Sequence, residues 1–293
     1  MEKHQFCENY RDNEALRAAF FDFSEIIFSG IDFRLWFAKG YWRNSYIPFS
    51  IIENGRIVSN VSITKMNILL NGQPVRGIQI GTVGTIPEYC GQGLSRLLME
   101  RVLKKYNDRT DLFFLFANES VVDFYPKFGF RNIKEAVFKA KNRNLELNYS
   151  ARKLDIGLDK NFKIITNLVE NRRTITRHFG AENYGFITMW HVLNIFPRNL
   201  FFLDDDSILF IITEDGDILH VWDIIYTEPF DISTAIPKII QNDKIKSIHY
   251  HLPPDQVPFS YDEVELNNDS LLFVRGSFTI KDDYFKFPTT AQT

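Results

Sequence analysis

The sequence predicts an α/β (α+β) protein: a mixed, mostly antiparallel sheet with flanking helices, followed by a second, smaller α+β domain. Three observations carry this expectation. Two Asn-Gly pairs, Asn54-Gly55 and Asn71-Gly72, sit between β-branched runs, a strong short-range hairpin signal. The third strand so defined runs into a helix with Gly91 and Gly93 at its mouth, in the stretch "TIPEYCGQGLSRLLMERVLKKY" (85–106). A chain of 293 residues, 45% of them hydrophobic, has enough length and apolar content for two cores.

Taken in order, 12–30 reads as an amphipathic helix behind an acidic cap, and 31–42 as a short helix rich in aromatics. Three antiparallel strands follow at about 46–53, 56–69 and 75–86. The glycine-mouthed helix runs to near Asn107, with Leu94, Leu97, Leu98 and Val102 on its apolar side. Then come a buried strand at 111–117, a short helix at 120–128, and a strand near 130–139. The polar, weakly patterned stretch 139–161 predicts the boundary between two domains, 1–145 and 160–293. In the second, helices are expected around 168–179, 187–195 and 232–241, and strands at 199–205, 207–228, 244–252 and within 270–287. A faint repeat links "IIENGRIVSNVSI" (51–63) with "IITEDGDILHVWDI" (211–224), for which duplication and convergent hairpin chemistry account equally well. The second copy has no glycine at its helix mouth.

The net charge of −3 does not favour nucleic acid or an anionic membrane as partner. Two cysteines, Cys7 and Cys90, make no disulfide framework and suit a reducing compartment. The first residues lack the apolar core of a signal peptide, and no apolar run approaches the ~20 residues of a membrane helix, so a cytoplasmic protein is expected. His4, His178, His191, His220, His249 and His251 show no metal-ligand spacing, and no metal is expected.

Glycine in place of alanine gives up ~0.5–1 kcal/mol in regular structure. Two at one helix mouth therefore ask for a reason. One is a strand-to-helix turn that needs positive φ. The other is a phosphate that approaches the unpaired first-turn amides, where the helix dipole is positive. A Walker loop requires Lys and Ser/Thr after its second glycine, but Leu94 stands there. A dinucleotide fingerprint requires a third small residue where Arg96 stands.

The stretch 83–88 followed by "YCGQGLSRLL" resembles the coenzyme A loop of the GNAT-type N-acetyltransferases. The later "NESVVDFYPKFGF" (118–130) resembles that family's downstream motif in order and spacing. The resemblance covers roughly 5–140 and is most similar to the first domain of multi-domain acetyltransferases of the enhanced-intracellular-survival type, so the expected fold is GNAT-like. The resemblance implies acetyl-CoA as co-substrate and an amine of a small molecule or a protein as acceptor. Backbone groups of Val83, Gly84 and Thr85 would pair with the pantetheine and polarise the thioester, in a slot between the fourth and fifth family strands. The amides of Gly91, Gln92, Gly93, Leu94, Ser95 and Arg96 would hold the diphosphate. Asn118 would order the pantetheine side or a water, and Tyr125 would protonate the leaving thiolate.

Two positions depart from the family pattern. Cys90 stands where Arg or Gln is usual and offers no guanidinium; Ser95 stands where Gly or Ala is usual and offers a hydroxyl. Cys90 is read as a bystander thiol. The proton acceptor for the attacking amine stays open among Glu53, Glu88, Asp22 and Glu25. Relatives with a third domain place their chain terminus in the active site, a device not carried over to Thr293. Phe33, Trp36, Phe37, Tyr41 and Trp42 would flank the acceptor slot, most of them as core. The second half is expected to bind no coenzyme A, and to close the slot or build a homodimer, as a candidate degenerate copy of the first. The alternative to an enzyme is a non-catalytic acyl-CoA-binding or scaffold protein of the same fold.

Overall fold

A computed structural model of the chain describes residues 5–142, 147–266 and 271–293. Strands β1 (Gln5–Glu8), β2 (Tyr46–Glu53), β3 (Arg56–Leu70) and β4 (Gln73–Thr85) form an antiparallel meander, and β5 (Leu112–Phe116) joins β4 in parallel. The hairpins turn where the Asn-Gly pairs stand. Asn54 and Gly55 have φ of 50° and 75°, and Asn71 and Gly72 51° and 77°, as a two-residue turn matched to strand twist requires.

Two helices cover one end of this sheet. α1 (Glu14–Ile27) is capped by the Asn13 side chain on the Leu16 amide, and α2 (Phe33–Ala38) by Asp32 on the Arg34 amide. Their aromatic residues mostly fill core: Phe20, Trp36 and Trp42 pack edge-on against Tyr46 of β2. α3 (Leu94–Tyr106) joins β4 to β5 and buries Leu94, Leu98, Met99 and Val102. Leu97 was expected on that face but is 39% exposed. At 100° per residue Met99 and Tyr106 extend the apolar stripe to one side, and Leu97 falls off the other edge.

After β5 the expected helix at 120–128 is instead two 3-10 turns, Glu119–Val121 and Tyr125–Phe128. Pro126 stands in the first half of the second turn and has no amide with which to extend a helix from the residues before it. The chain then gives β6 (Arg131–Ile133) to the first sheet and β7 (Ala136–Lys141) to the second. The second sheet is completed by β8 (Arg152–Lys153), and by β10 (Leu200–Leu203), β11 (Ile208–Asp215), β12 (Ile218–Ile225), β13 (Ser247–Tyr250) and β14 (Glu263–Leu266). β9 (Phe179–Glu182) pairs with β3, and β15 (Leu272–Gly276) inserts between β5 and β6. The chain thus crosses between the sheets on both sides of the expected boundary: β7 precedes it but lies in the second sheet, and β15 follows it but lies in the first.

α4 (Asp159–Asn171) starts well before the helix expected around 168–179, and Phe179 opens β9. α5 (Gly185–Asn194) and α6 (Ile232–Ile239) stand where expected. The two sheets share a local order, but not in the register of the faint repeat, which sets the β2–β3 hairpin against β11–β12. In each sheet an antiparallel hairpin is followed by a helix, α3 or α6, and then by a parallel strand, β5 beside β4 or β13 beside β12. Among the described residues no helix is long and apolar enough to cross a membrane.

Candidate active site

The slot comes from two strands that part. β4 and β5 pair from Gly77–Leu112 to Ile80–Leu115, and beyond that β4 continues to Thr85 without β5. A bulge begins where they separate: Thr82 and Val83 together oppose Val61 of β3. Thr82 takes a φ of 49°, unusual for a β-branched residue. Buried hydrogen bonds hold it there. The Asn60 amide donates to the Thr82 carbonyl at 2.8 Å, and the Tyr46 and Thr82 hydroxyls meet at 2.8 Å. Asn60 is in turn held by Ser50 at 2.8 Å, whose hydroxyl meets Tyr10 at 2.6 Å.

A cavity of about 1110 Å³ opens along this strand. At ~3.3 Å per residue, Gly81 and Thr85 lie ~13 Å apart, and the two mark its different ends. At the Thr85 end stands the mouth of α3. Gly91 and Gly93 both have φ of 78°, and an added Cβ at either would meet no atom within 4 Å. The turn therefore needs positive φ, and the space around both positions is open. Gly93 caps α3 with no side-chain bond to its amides. Hydroxyls brace the mouth to the sheet, with Ser95 to Thr85 at 2.7 Å, Thr85 to Ser59 at 2.8 Å, and Ser59 donating to the Gly84 carbonyl at 3.0 Å. Each hydroxyl has one proton, so with Ser59 donating to the Gly84 carbonyl this chain directs the Ser95 proton to Thr85.

The predicted residues Val83, Gly84 and Thr85 line the cavity along β4, and Gly91, Gly93, Leu94, Ser95 and Arg96 line it at α3. Gln92 lies outside the lining. Cys90 lines it as a free, exposed thiol turned back on the strand end, 3.6 Å from the Thr85 carbonyl. Arg96 pairs with Glu100 at 2.8 Å, and Lys127, which the sequence reading missed, adds a second cation to the lining. Asn118 and Tyr125 complete the β5 side. Tyr125 is buried among Phe124, Phe130 and Phe273, and desolvation pushes its phenol up to about 12.

The Gly81 end draws on both halves of the chain. Phe33, Trp36 and Tyr46 come from the first half, and Phe186, Ile187 and Trp190 come from α5. Thr293 lines it too, and an added Cβ on Gly81 would stand 2.6 Å from its backbone oxygen. The sequence reading withheld this position from Thr293; the structure places it there. Buried polar groups fix that segment. The Gln79 side chain accepts from the Thr293 amide at 2.9 Å and donates to the Ala291 carbonyl at 3.0 Å. His191 bonds the Gln292 carbonyl at 2.7 Å, and Asp223 holds both the Thr290 hydroxyl and the Arg172 guanidinium. Desolvation pushes His191 down to about 4, so it is neutral and donates from Nε2.

The candidate bases are elsewhere. Asp22 and Glu25 pair with Arg34 at 2.8 and 3.2 Å, Glu53 is bonded to the Tyr89 phenol, and Glu88 is exposed in the turn Pro87–Tyr89. None of the four lines the cavity. His220, His249 and His251 cluster on the second sheet, where His220 Nδ1 lies 2.9 Å from His251 Nε2. Among the described residues no three side chains are placed to hold a metal ion; His4 lies outside them.

Residues 15–133 match the family model of an acetyltransferase (GNAT) domain. No curated protein matches the sequence. Solved structures share the fold over nearly the whole chain. A conserved protein of unknown function from Enterococcus faecalis V583, described as a probable N-acyltransferase, superposes with a TM-score of 0.63 at 14% identity over 93% of this chain and 72% of that one. A GCN5-related N-acetyltransferase from Anabaena variabilis ATCC 29413 gives 0.56 at 17% identity over 92% and 72%. Eis1 from Mycobacterium abscessus gives 0.55 at 11% identity over 93% and 72%. At such identities the likeness is one of fold.

Proposed function

We propose that this chain, whose residues 15–133 match the family model of a GNAT acetyltransferase domain, is an acyltransferase that moves an acetyl group from acetyl-CoA directly to a primary amine. The observation that carries this is the continuity of one cavity from the side-chain-free mouth of α3, along the splayed end of β4, to Tyr125 and the Gly81 end. In this reading the first-turn amides at Gly91–Arg96 receive the diphosphate, helped by the helix dipole and by Lys127. Backbone groups of Val83, Gly84 and Thr85 align the pantetheine and polarise the thioester carbonyl, and Asn118 faces the same arm.

The amine nitrogen gives its lone pair to the carbonyl carbon, the C–N bond forms, and the C–S bond breaks. Sulfur leaves as a thiolate that takes a proton from the Tyr125 hydroxyl, while the proton lost by the amine passes to water and, through solvent, restores the Tyr125 phenol; the products are the amide and free coenzyme A. A phenol raised to about 12 is fully protonated at neutral pH, as a donor must be. The thiolate lies in the same desolvated slot, which raises its affinity for a proton as well. The second half of the chain acts here by closing the slot through α5, within one chain.

Titration calorimetry with acetyl-CoA, with ATP as control ligand, tests the reading. One acetyl-CoA site per chain and no heat with ATP are expected. Tyr125→Phe should keep that binding and lose about 10²-fold or more in thiol release with an accepted amine. Unchanged turnover in Tyr125→Phe would remove the acid role. Binding without turnover for any amine would favour the non-catalytic acyl-CoA-binding protein, and no binding at millimolar ligand would reject the cofactor assignment.

A further inference from the structure

The Gly81 end of the cavity is chemically unlike its α3 end, and the difference bears on the acceptor. Its walls are rings fixed before any ligand arrives. The Trp36 indole N–H donates to the Phe186 carbonyl at 2.7 Å, locking α2 to α5. Phe33 stacks on Tyr46 with centroids 6.0 Å apart and meets Trp190 at 5.9 Å. Ile27, Phe28 and Ile31 line the same cavity from the end of α1 and the loop after it, Ile27 against Gly84. The Thr82 and Tyr46 hydroxyls already satisfy each other. What remains polar is the Gly81 backbone and Thr293 beside it, whose backbone oxygen and hydroxyl would lie 2.6 and 3.0 Å from an added Gly81 Cβ.

Side-chain carboxylates are placed away from this end. Glu100 is the one acidic side chain in the lining among the described residues, and it belongs to α3, where it pairs with Arg96. Asp22 and Glu25 of α1 and Asp32 at the mouth of α2 converge on the exposed guanidinium of Arg34. A polycation entering this end would leave its further ammonium groups desolvated against rings, with no side-chain partner. A single ammonium on an apolar body fits it better. Ring faces tolerate one cation. The same apolar surroundings lower an amine's pKa and so favour the neutral nucleophile, which gives a physical route to deprotonation without a carboxylate.

Building on the acetyl-transfer reading, we propose that the acceptor is a primary monoamine with an aromatic or bulky apolar body, and that the aromatic box between α2 and α5 selects it against polyamines and aminosugars. The test compares 2-phenylethylamine with spermidine and kanamycin at saturating acetyl-CoA, by thiol release, beside calorimetric binding of acetyl-CoA. Quenching of indole fluorescence in the CoA-loaded protein reports entry past Trp36 and Trp190 without requiring turnover. The expected kcat/KM for phenylethylamine exceeds that for either polycation by 100-fold or more. Phe28→Asp, at a half-buried wall position, should move that ratio at least 10-fold toward spermidine. Equal or better turnover of spermidine or kanamycin would overturn the acceptor class and leave acetyl transfer standing. Acetyl-CoA binding with neither quenching nor turnover by phenylethylamine would overturn it too. If acetyl-CoA itself fails to bind, the transferase reading falls, and fluorescence with the free protein still decides between the amine classes.

Discussion

Gly93→Ala isolates the role of the α3 mouth, because the fold contains a matched control. Gly93 has φ of 78° and Gly55 has φ of 75°, and at both an added Cβ would meet nothing within 4 Å. The two substitutions therefore impose the same left-handed backbone strain with no steric clash, worth ~1–2 kcal/mol. Each should lower the melting temperature by a few degrees and by similar amounts. Only one of them faces the proposed ligand. Gly55 is in the exposed turn between β2 and β3, whereas Gly93 stands where the unpaired amides of α3 meet the cavity. A methyl group there, or a mouth that relaxes to escape the strain, would cost one charge-assisted amide–phosphate bond, about 1.5–3 kcal/mol. The acetyl-CoA dissociation constant should then rise roughly 10- to 150-fold in Gly93→Ala and stay unchanged in Gly55→Ala. Calorimetry with acetyl-CoA and a thermal melt on the same two samples make the comparison. If both variants bind acetyl-CoA like the parent while both lose stability, the glycine serves the turn alone, and the phosphate assignment at α3 is wrong.

Two further outcomes follow from the segment that ends at Thr293. Gly81→Ala puts a Cβ 2.6 Å from the Thr293 backbone oxygen, so the segment must shift; overpacking of this kind costs about 1–3 kcal/mol, and the acceptor KM should rise several-fold with little change in acetyl-CoA binding. The second outcome concerns acid. His191 is held at about 4 in the fold against an ordinary 6.5, so above pH 6.5 both folded and unfolded chains carry it neutral and its contribution is fully present. As pH falls from 6.5 toward 4 only the unfolded chain takes the proton, and up to about 3 kcal/mol is lost. Denaturant titrations at pH 7 and pH 4.5 should show a smaller acid loss in His191→Gln than in the parent, and equal losses would contradict this role.

The two motifs that line the α3 end and the β5 side of the cavity were legible as cavity-lining stretches because each is local. "YCGQGLSRLL" contains both the left-handed turn and the apolar face of α3, and "NESVVDFYPKFGF" contains Asn118 and Tyr125 within one short loop. The hairpins were equally local, since Asn-Gly sets φ by itself. The Gly81 end was not legible, because it depends on contacts between distant residues. Nothing near Trp190 says that its ring will meet Phe33, and nothing in 287–293 says that it will lie beside β4. The insertion of β15 between β5 and β6 was hidden for the same reason. A partial signal did exist in "SNVS" (59–62). A polar cluster inside a strand of otherwise buried residues needs internal partners, and Asn60, fully buried, finds them in Ser50, Ser62 and the Thr82 carbonyl.

The parallel between the two sheets sharpens the case for a single cofactor site. α3 and α6 hold equivalent places, each leading from an antiparallel hairpin to a parallel strand, so each presents a positive helix end at the same point of its sheet. Their N-caps differ. Gly93 leaves its amides open, whereas Asp231 caps α6 with its own carboxylate, accepting from the Ser233 amide at 2.9 Å and from the Ser233 hydroxyl at 2.8 Å. Those hydrogen bonds hold the Asp231 carboxyl below its usual range, so it is charged at neutral pH. A diphosphate approaching α6 would meet a fixed negative charge already seated on the amides it needs. The same helix end can thus bind an anion or be capped by one, and under the proposed function the choice between glycine and aspartate at the mouth decides which half of this chain receives coenzyme A.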